Sequence, residues 1–192
     1  MKKYLLLFVA AVTMLQVNSQ TKTWTNDTQH SRLGFVVKHL MISEISGRFA
    51  DFKAVVTTTK SDYSDAKVTL TANVASINTE VEARDNHLRT ADFFDAEKFP
   101  TLTFTSTSVK KVSGKKGIMT GSLTFHGVTK PIRLNVAYLG MVTNPMNKKI
   151  TAGFQVTGVI KRSDYDLGSK FPSAMVGNEV KIIANVEFSP DK

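Results

Sequence analysis

Residues 119–138 read MTGSLTFHGVTKPIRLNVAY. Met119, Gly121, Leu123 and Phe125 share one phase of a two-residue repeat, and Thr120, Ser122 and Thr124 share the other. After HGVTKP (126–131) the repeat resumes with Ile132, Leu134, Val136 and Tyr138. Successive side chains of a strand point to opposite faces, so each half is a strand with one apolar face. HGVTKP has the composition of a compact turn and predicts that the second strand folds back on the first. The unit is an antiparallel hairpin covered on one side only.

The same alternation extends in both directions. Upstream lie Leu33, Phe35 and Val37, then Phe52, Ala54 and Val56, then Val68, Leu70, Ala72 and Val74, then Leu102 and Phe104. Downstream lie Ile150, Ala152, Phe154, Val156 and Ile160, then Val180, Ile182, Ala184, Val186 and Phe188. About eight strands, each with one apolar face, make an all-β sandwich or barrel. Short turns such as VSGKKG (112–117) favour a meander. The expected fold is an antiparallel up-and-down barrel, which leaves no open edge.

In such a barrel the connections alternate between two ends. One end receives 27–31, 59–64, 113–116 and 140–149, and the other receives 39–46, 78–100, 127–129 and 161–177. The two longest fall together, with the apolar loop residues Leu40, Met41 and Ile42. Long loops on a rigid scaffold carry function, so this end is taken as the mouth.

The strand pattern breaks at EARDNHLRTADFFDAEKFPTLTFTST (82–107). Thr79 and Glu82 have capping-box spacing, which predicts a short helical lid over the mouth. Pro100 returns the chain to extended backbone, and Phe93 and Phe94 stand at the lid's exit. Arg84 and Asp85 are expected to brace the lid against KRSDYDLGSK (161–170), with Asp85–Arg162 as the cross-loop pair. The functional alternative is that Arg84, Arg89 or Arg162 meets an anionic or carbonyl head group.

The chain begins MKKYLLLFVAAVTMLQVNSQ. A basic start, a short apolar run and small residues at Val17 and Ser19 predict a cleaved secretory signal over 1–19, followed by one domain over 20–192. Periplasmic or secreted protein is expected. The chain has no cysteine, so neither a disulfide nor a lipidated N-terminal cysteine is available. The formal net charge is +9. Export argues against nucleic acid as partner, leaving solubility or transient contact with an anionic membrane surface. Asn26–Asp27–Thr28 matches a glycosylation sequon, a weak signal.

No metal or cofactor is expected, because His30, His39, His87 and His126 lack ligand spacing. Asp85 and His87 are neighbours, but no serine lies in a nucleophile elbow. Binding is therefore expected rather than catalysis. The phenylalanines make either a packed core or an apolar tube, and both fit eight strands. Gly121, Ala152, Ala72 and Ala184 share the inward phase and tilt the reading toward a tube. Strand phase and loop placement give the candidate ligand-binding residues: Phe35, Val37, His39, Phe52, Leu70, Arg84, Phe93, Phe94, Phe104, Leu123, Phe125, Leu134, Phe154, Arg162 and Ile182.

Four segments, 27–56, 83–107, 121–134 and 152–168, resemble in order those of the YceI-like family of exported bacterial polyisoprenoid-binding proteins. The resemblance covers nearly all of the expected mature chain. It implies a lipocalin-like barrel around a long isoprenoid lipid, a polyprenyl chain or isoprenoid quinone, which the protein would bind, store or transport. The matching positions at the mouth are His39, Arg84, Asp85, His87, Arg162 and Asp164. Where the family often has Phe–Gly, this chain has Tyr165–Asp166. The other two readings are a lipid ester or amide hydrolase at the same mouth and a packed barrel acting through its surface.

Overall fold

The computed structural model describes residues 20–191; the expected signal lies outside them. The strands are β1 (Lys22–Asn26), β2 (Arg32–His39), β3 (Ser43–Phe49), β4 (Phe52–Thr58), β5 (Lys67–Asn73), β6 (Ile77–Asn78), β7 (Thr101–Ser113), β8 (Lys116–Phe125), β9 (Val128–Thr143), β10 (Ile150–Lys161) and β11 (Val176–Pro190). One α-helix, α1 (Glu82–Arg89), lies between β6 and β7. All pairings are antiparallel, in the order β1-β4-β5-β7-β8-β9-β10-β11, and β11 returns to β1 to close an eight-stranded barrel.

The remaining strands continue three of these courses toward the mouth. β1 and β2 both run along β11, which pairs Asn26 with Phe188 and Arg32 with Asn185. Residues 27–31 are therefore a bulge within one course. Sequence alternation had placed them at a barrel end, because it does not register a bulge whose flanks both stay in the sheet. The Asp27 carboxylate holds the bulge by accepting from Gln29 N–H at 2.9 Å and pairing with His30 Nδ1 at 3.0 Å. β3 and β4 bend likewise at 50–51, and β5 and β6 at the 3₁₀ turn Val74–Ser76. Ser76 Oγ accepts the Asp51 N–H at 3.0 Å and joins these two bends.

β2, β3 and β6 thus flare at the mouth as an extension of the barrel. β6 pairs with β3 and β5 with β7, so the sheet parts between β6 and β7. α1 covers that gap. Arg89 donates from Nε to Ala75 O at 2.8 Å and from Nη2 to Ile77 O at 3.0 Å, satisfying carbonyls on the exposed edge.

The hairpin of residues 119–138 is tighter than its sequence suggested. Phe125 pairs with Val128, leaving only His126 and Gly127 in the turn, at φ 51° and 74°. Two positive φ values in succession match the twist of the flanking strands. A Cβ on Gly127 would lie 2.6 Å from the Phe99 ring, so glycine serves both the turn and the close approach. β3 was not foreseen, and the 39–46 loop is really the three-residue turn 40–42 between β2 and β3. The other mouth connections are 79–100, 126–127 and 162–175, and the far end holds 59–66, 114–115 and 144–149.

Candidate ligand-binding site

The apolar faces of these strands enclose a cavity of about 680 Å³ that runs most of the barrel's length. Its middle is lined by Phe35, Leu70, Phe104, Leu123, Leu134, Phe154 and Ile182. Val37, His39, Arg84, Phe93, Phe94, Phe125 and Arg162 line it toward the mouth. Phe52 alone among the candidates does not reach the lumen; it is buried in the wall, where β4 bends away. The lining also includes Tyr63, Val109, Phe171 and Val176, which the sequence did not single out. Val109 follows a register shift in β7, and the other three lie in or beside connections.

Three of the four small inward residues do not make the space. Ala72 and Ala152 are fully buried and lie outside the lining, and a Cβ on Gly121 would stand 2.5 Å from the Phe104 ring. Gly121 accommodates a neighbour's ring rather than a void. Ala184 does face the lumen.

At the far end the cavity is floored by Tyr63, held at φ 58° in the 59–66 connection. Its ring meets Trp24 at 5.9 Å, Tyr138 at 6.0 Å and Phe154 at 5.5 Å between centroids. Burial, with the Tyr138 hydroxyl nearby, raises the Tyr63 pKa. Asp65 fixes the connection: its carboxylate accepts from the hydroxyls of Thr58 and Thr59, and from the Thr59 N–H at 2.9 Å. Those bonds, led by Thr58, hold its pKa well below the usual carboxylate range.

The polar lining gathers at the other end as Lys38, His39, Thr79, Arg84, His87 and Arg162. The helix does not start with the expected capping box. Val81 is the N-cap residue and contributes no side-chain bond. Thr79 instead donates its N–H (2.8 Å) and its hydroxyl (2.5 Å) to Asp85 Oδ1. Arg84 donates from Nε to Thr79 Oγ1 and from Nη2 to Thr79 O, both at 2.7 Å. Asp85, at 6% exposed, thus ties the helix to its own incoming chain.

The expected Asp85–Arg162 pair is not formed. Arg162 is 7% exposed and donates to four carbonyls: Leu167 at 2.9 Å, Gly168 at 2.7 Å, Phe171, and Val176 at 3.0 and 3.2 Å. A tightly folded connection supplies enough carbonyl oxygens to hold a buried guanidinium without a carboxylate. Burial lowers the Arg162 pKa from its ordinary value. Tyr165 lies beneath, its carbonyl 3.0 Å from His126 Nδ1, and burial with the Asp164 charge pushes its hydroxyl up to about 12.

The link between the two long connections is aromatic. Phe93 stacks on Phe171 at 4.7 Å and 11°, and the His87 ring stands edge-on to both. Lys170 Nζ pairs with Asp92 Oδ1 at 2.6 Å beside the stack. Phe94 turns inward, 5.3 Å from Phe125. His87 Nε2 faces Asp92 at 3.3 Å, while Asp85 is engaged by Thr79, so these two neighbours in sequence do not form a catalytic pair. The sequon residue Asn26 is buried, and its Oδ1 accepts the Ala54 N–H at 2.7 Å.

Comparisons with known proteins agree with this architecture. The model of the YceI-like domain matches residues 24–188. Protein YceI of Salmonella newport is 38% identical over 190 residues, covering 97% of each chain. The crystal structure of the YCEI protein of Campylobacter jejuni superposes with a TM-score of 0.72 at 37% identity, over 81% of this chain and 90% of that one. A polyisoprenoid-binding domain from Saccharophagus degradans shares the fold at a TM-score of 0.64 and 19% identity, over 88% and 98% of the two chains.

Proposed function

The chain belongs to the YceI-like family, and from that membership and the shape of its lumen we infer that it binds a long isoprenoid-type lipid, tail inward and head group at the mouth. The observation that carries this reading is the cavity itself: about 680 Å³, walled by apolar side chains along the barrel and polar only toward the mouth.

The distribution of side chains defines the occupant's chemistry. Apolar walls match a hydrocarbon, and each buried methylene contributes about 0.8 kcal/mol relative to water. A bilayer offers the same gain, so the tail alone does not draw a lipid out of a membrane. Discrimination comes from the floor at Tyr63, which limits chain length, and from Arg84, His39 and His87, whose donors suit an anionic or carbonyl head group. The polyisoprenoid-binding description of the Saccharophagus degradans domain supports the same ligand class. Storage or transport of this lipid in the periplasm or outside the cell extends the reading, with the ligand bound rather than chemically changed.

Native mass spectrometry of protein purified under non-denaturing conditions tests it. One lipid of isoprenoid mass per barrel is expected, displaceable by a short-chain isoprenoid quinone. A barrel that stays empty and takes up neither a polyprenyl chain nor a quinone overturns the reading.

A further inference from the structure

Charge is distributed unevenly along the chain. Between Glu97 and Asp164 there is no Asp or Glu, while Lys110, Lys111, Lys115, Lys116, Lys148 and Lys149 all occur there. The structure gathers these six at the end opposite the mouth, in the β7–β8 and β9–β10 hairpins. Lys115 O accepts the Tyr138 N–H at 2.8 Å, which sets the β7–β8 turn beside the base of the longer β9–β10 hairpin.

That longer hairpin carries exposed apolar side chains. Leu139, Met141 and Val142 on β9 and Ile150 on β10 are exposed, and Met146 at the tip is 92% exposed. Lys148 and Lys149 stand beside Met146 in sequence, and Val112 of the neighbouring hairpin is exposed too. The turn is ordered: Asn144 Oδ1 accepts the Met146 N–H at 2.9 Å, and Asn144 N–H reaches Lys149 O at 2.8 Å.

We propose that the β9–β10 hairpin, with the adjoining β7–β8 turn, docks the protein on anionic lipid membranes, Met146 and Val142 entering the interface while the lysines meet head-group phosphates. Charge complementarity selects this occupant. Each lysine near an anionic bilayer adds attraction that salt weakens, and shallow apolar insertion adds a part that salt does not. The carboxylates that other elements bring to this end are Asp62 and Asp65 in 59–66, Asp191 after β11, and Glu187, which pairs across from Gly153 of β10. Asp65 is occupied by threonine donors, and Lys22, Lys60 and Lys67 offset them at the same end. The mouth also exposes apolar residues, Leu40, Met41 and Ile42, but its two long connections hold more carboxylates than cations. An anionic surface therefore selects the far end and leaves the mouth facing away. This docking does not depend on what the lumen holds.

The chain has no cysteine, so a single introduced thiol can be labelled cleanly. Met146→Cys and, separately, Ile42→Cys would carry an environment-sensitive dye on the mature chain. Vesicles of phosphatidylcholine would be compared with vesicles containing phosphatidylglycerol, in low and physiological salt. The 146 label should shift to the blue with anionic vesicles only, and the 42 label should not. Lys148→Glu with Lys149→Glu should lower partitioning at least tenfold, and Met146→Asp should lower the part that persists in salt. These side chains lie outside the core, and circular dichroism confirms that the barrel is intact. A shift at 42 without one at 146 overturns the proposal. So does absence of vesicle binding in low salt, or equal binding to a soluble polyanion with the 146 dye still in water. Loss of docking with cavity binding intact would separate this failure from failure of the lipid-binding reading.

Discussion

Phe93 and Phe171 stack face to face at 4.7 Å, joining the connection that carries α1 to the one that follows β10. The pair is possible because Gly168 has no side chain: a Cβ there would lie 2.7 Å from the Phe93 ring. Both rings line the cavity, so the contact that fastens the mouth also borders the ligand's path. An aromatic pair contributes about 0.5–1.5 kcal/mol beyond its buried area. Phe171→Ala should therefore release a fluorescent isoprenoid probe several-fold faster and change the melting temperature little. An unchanged dissociation rate in stopped-flow displacement would show that the mouth opens elsewhere.

Asp85→Asn should destabilise the protein. A buried carboxylate that accepts two hydrogen bonds from Thr79 is worth about 1.5–3 kcal/mol per bond to a charged group, of which the amide retains only a part. Denaturant unfolding of Asp85→Asn, Thr79→Val and the double variant gives the coupling. Additive losses would contradict the geometry.

Arg162→Lys should not rescue Arg162→Met. One ammonium cannot fork to the Leu167, Gly168, Phe171 and Val176 carbonyls, so both variants leave buried acceptors unpaired, at about 1–3 kcal/mol each. Amide exchange should rise across 163–175 in both. Wild-type protection in Arg162→Lys would mean that charge matters there and the fork does not.

Asp65 predicts an acid-sensitive floor. Its pKa in the folded protein lies below the ordinary 3.8, chiefly through the Thr58 hydroxyl. A lowered carboxyl pKa contributes stability that is fully present above the ordinary value and is lost as pH falls through the folded value. Melting temperature should fall with acid below about pH 4 in the wild type and less steeply in Asp65→Asn. Parallel acid limbs in the two proteins would remove Asp65 from this role.

Ala184→Phe should reduce lipid uptake while the barrel still folds, because its side chain enters the lumen. Overpacking costs about 1–3 kcal/mol, so folding is checked by circular dichroism before the bound lipid is counted. Gly121→Phe should instead displace Phe104 and destabilise the wall. A folded Ala184→Phe barrel with full lipid stoichiometry would place the ligand outside this cavity.

The two-residue repeat alone determined that Leu70, Phe104, Leu123, Leu134, Phe154 and Ile182 share an interior, and short turns in succession determined that neighbours in sequence pair. Side-chain phase is a local property of the backbone, so alternation reports it without knowledge of the partner strand. Alternation of direction likewise put the two longest connections, read as 78–100 and 161–177, at one end. Tertiary structure decided what local patterns do not encode. Phe52 shows the right phase, yet the bend beside it turns it into the wall. Tyr63 sits in a polar connection, and only the fold carries its ring across the barrel floor. Arg162 and Asp85 lie at one end, as expected, but Asp85 found Thr79 in its own connection, and Arg162 found carbonyls of its own connection and of Val176 at the start of β11. A buried charge takes whichever donors or acceptors the folded chain holds at hydrogen-bonding distance, and that geometry exists only once the loops have closed.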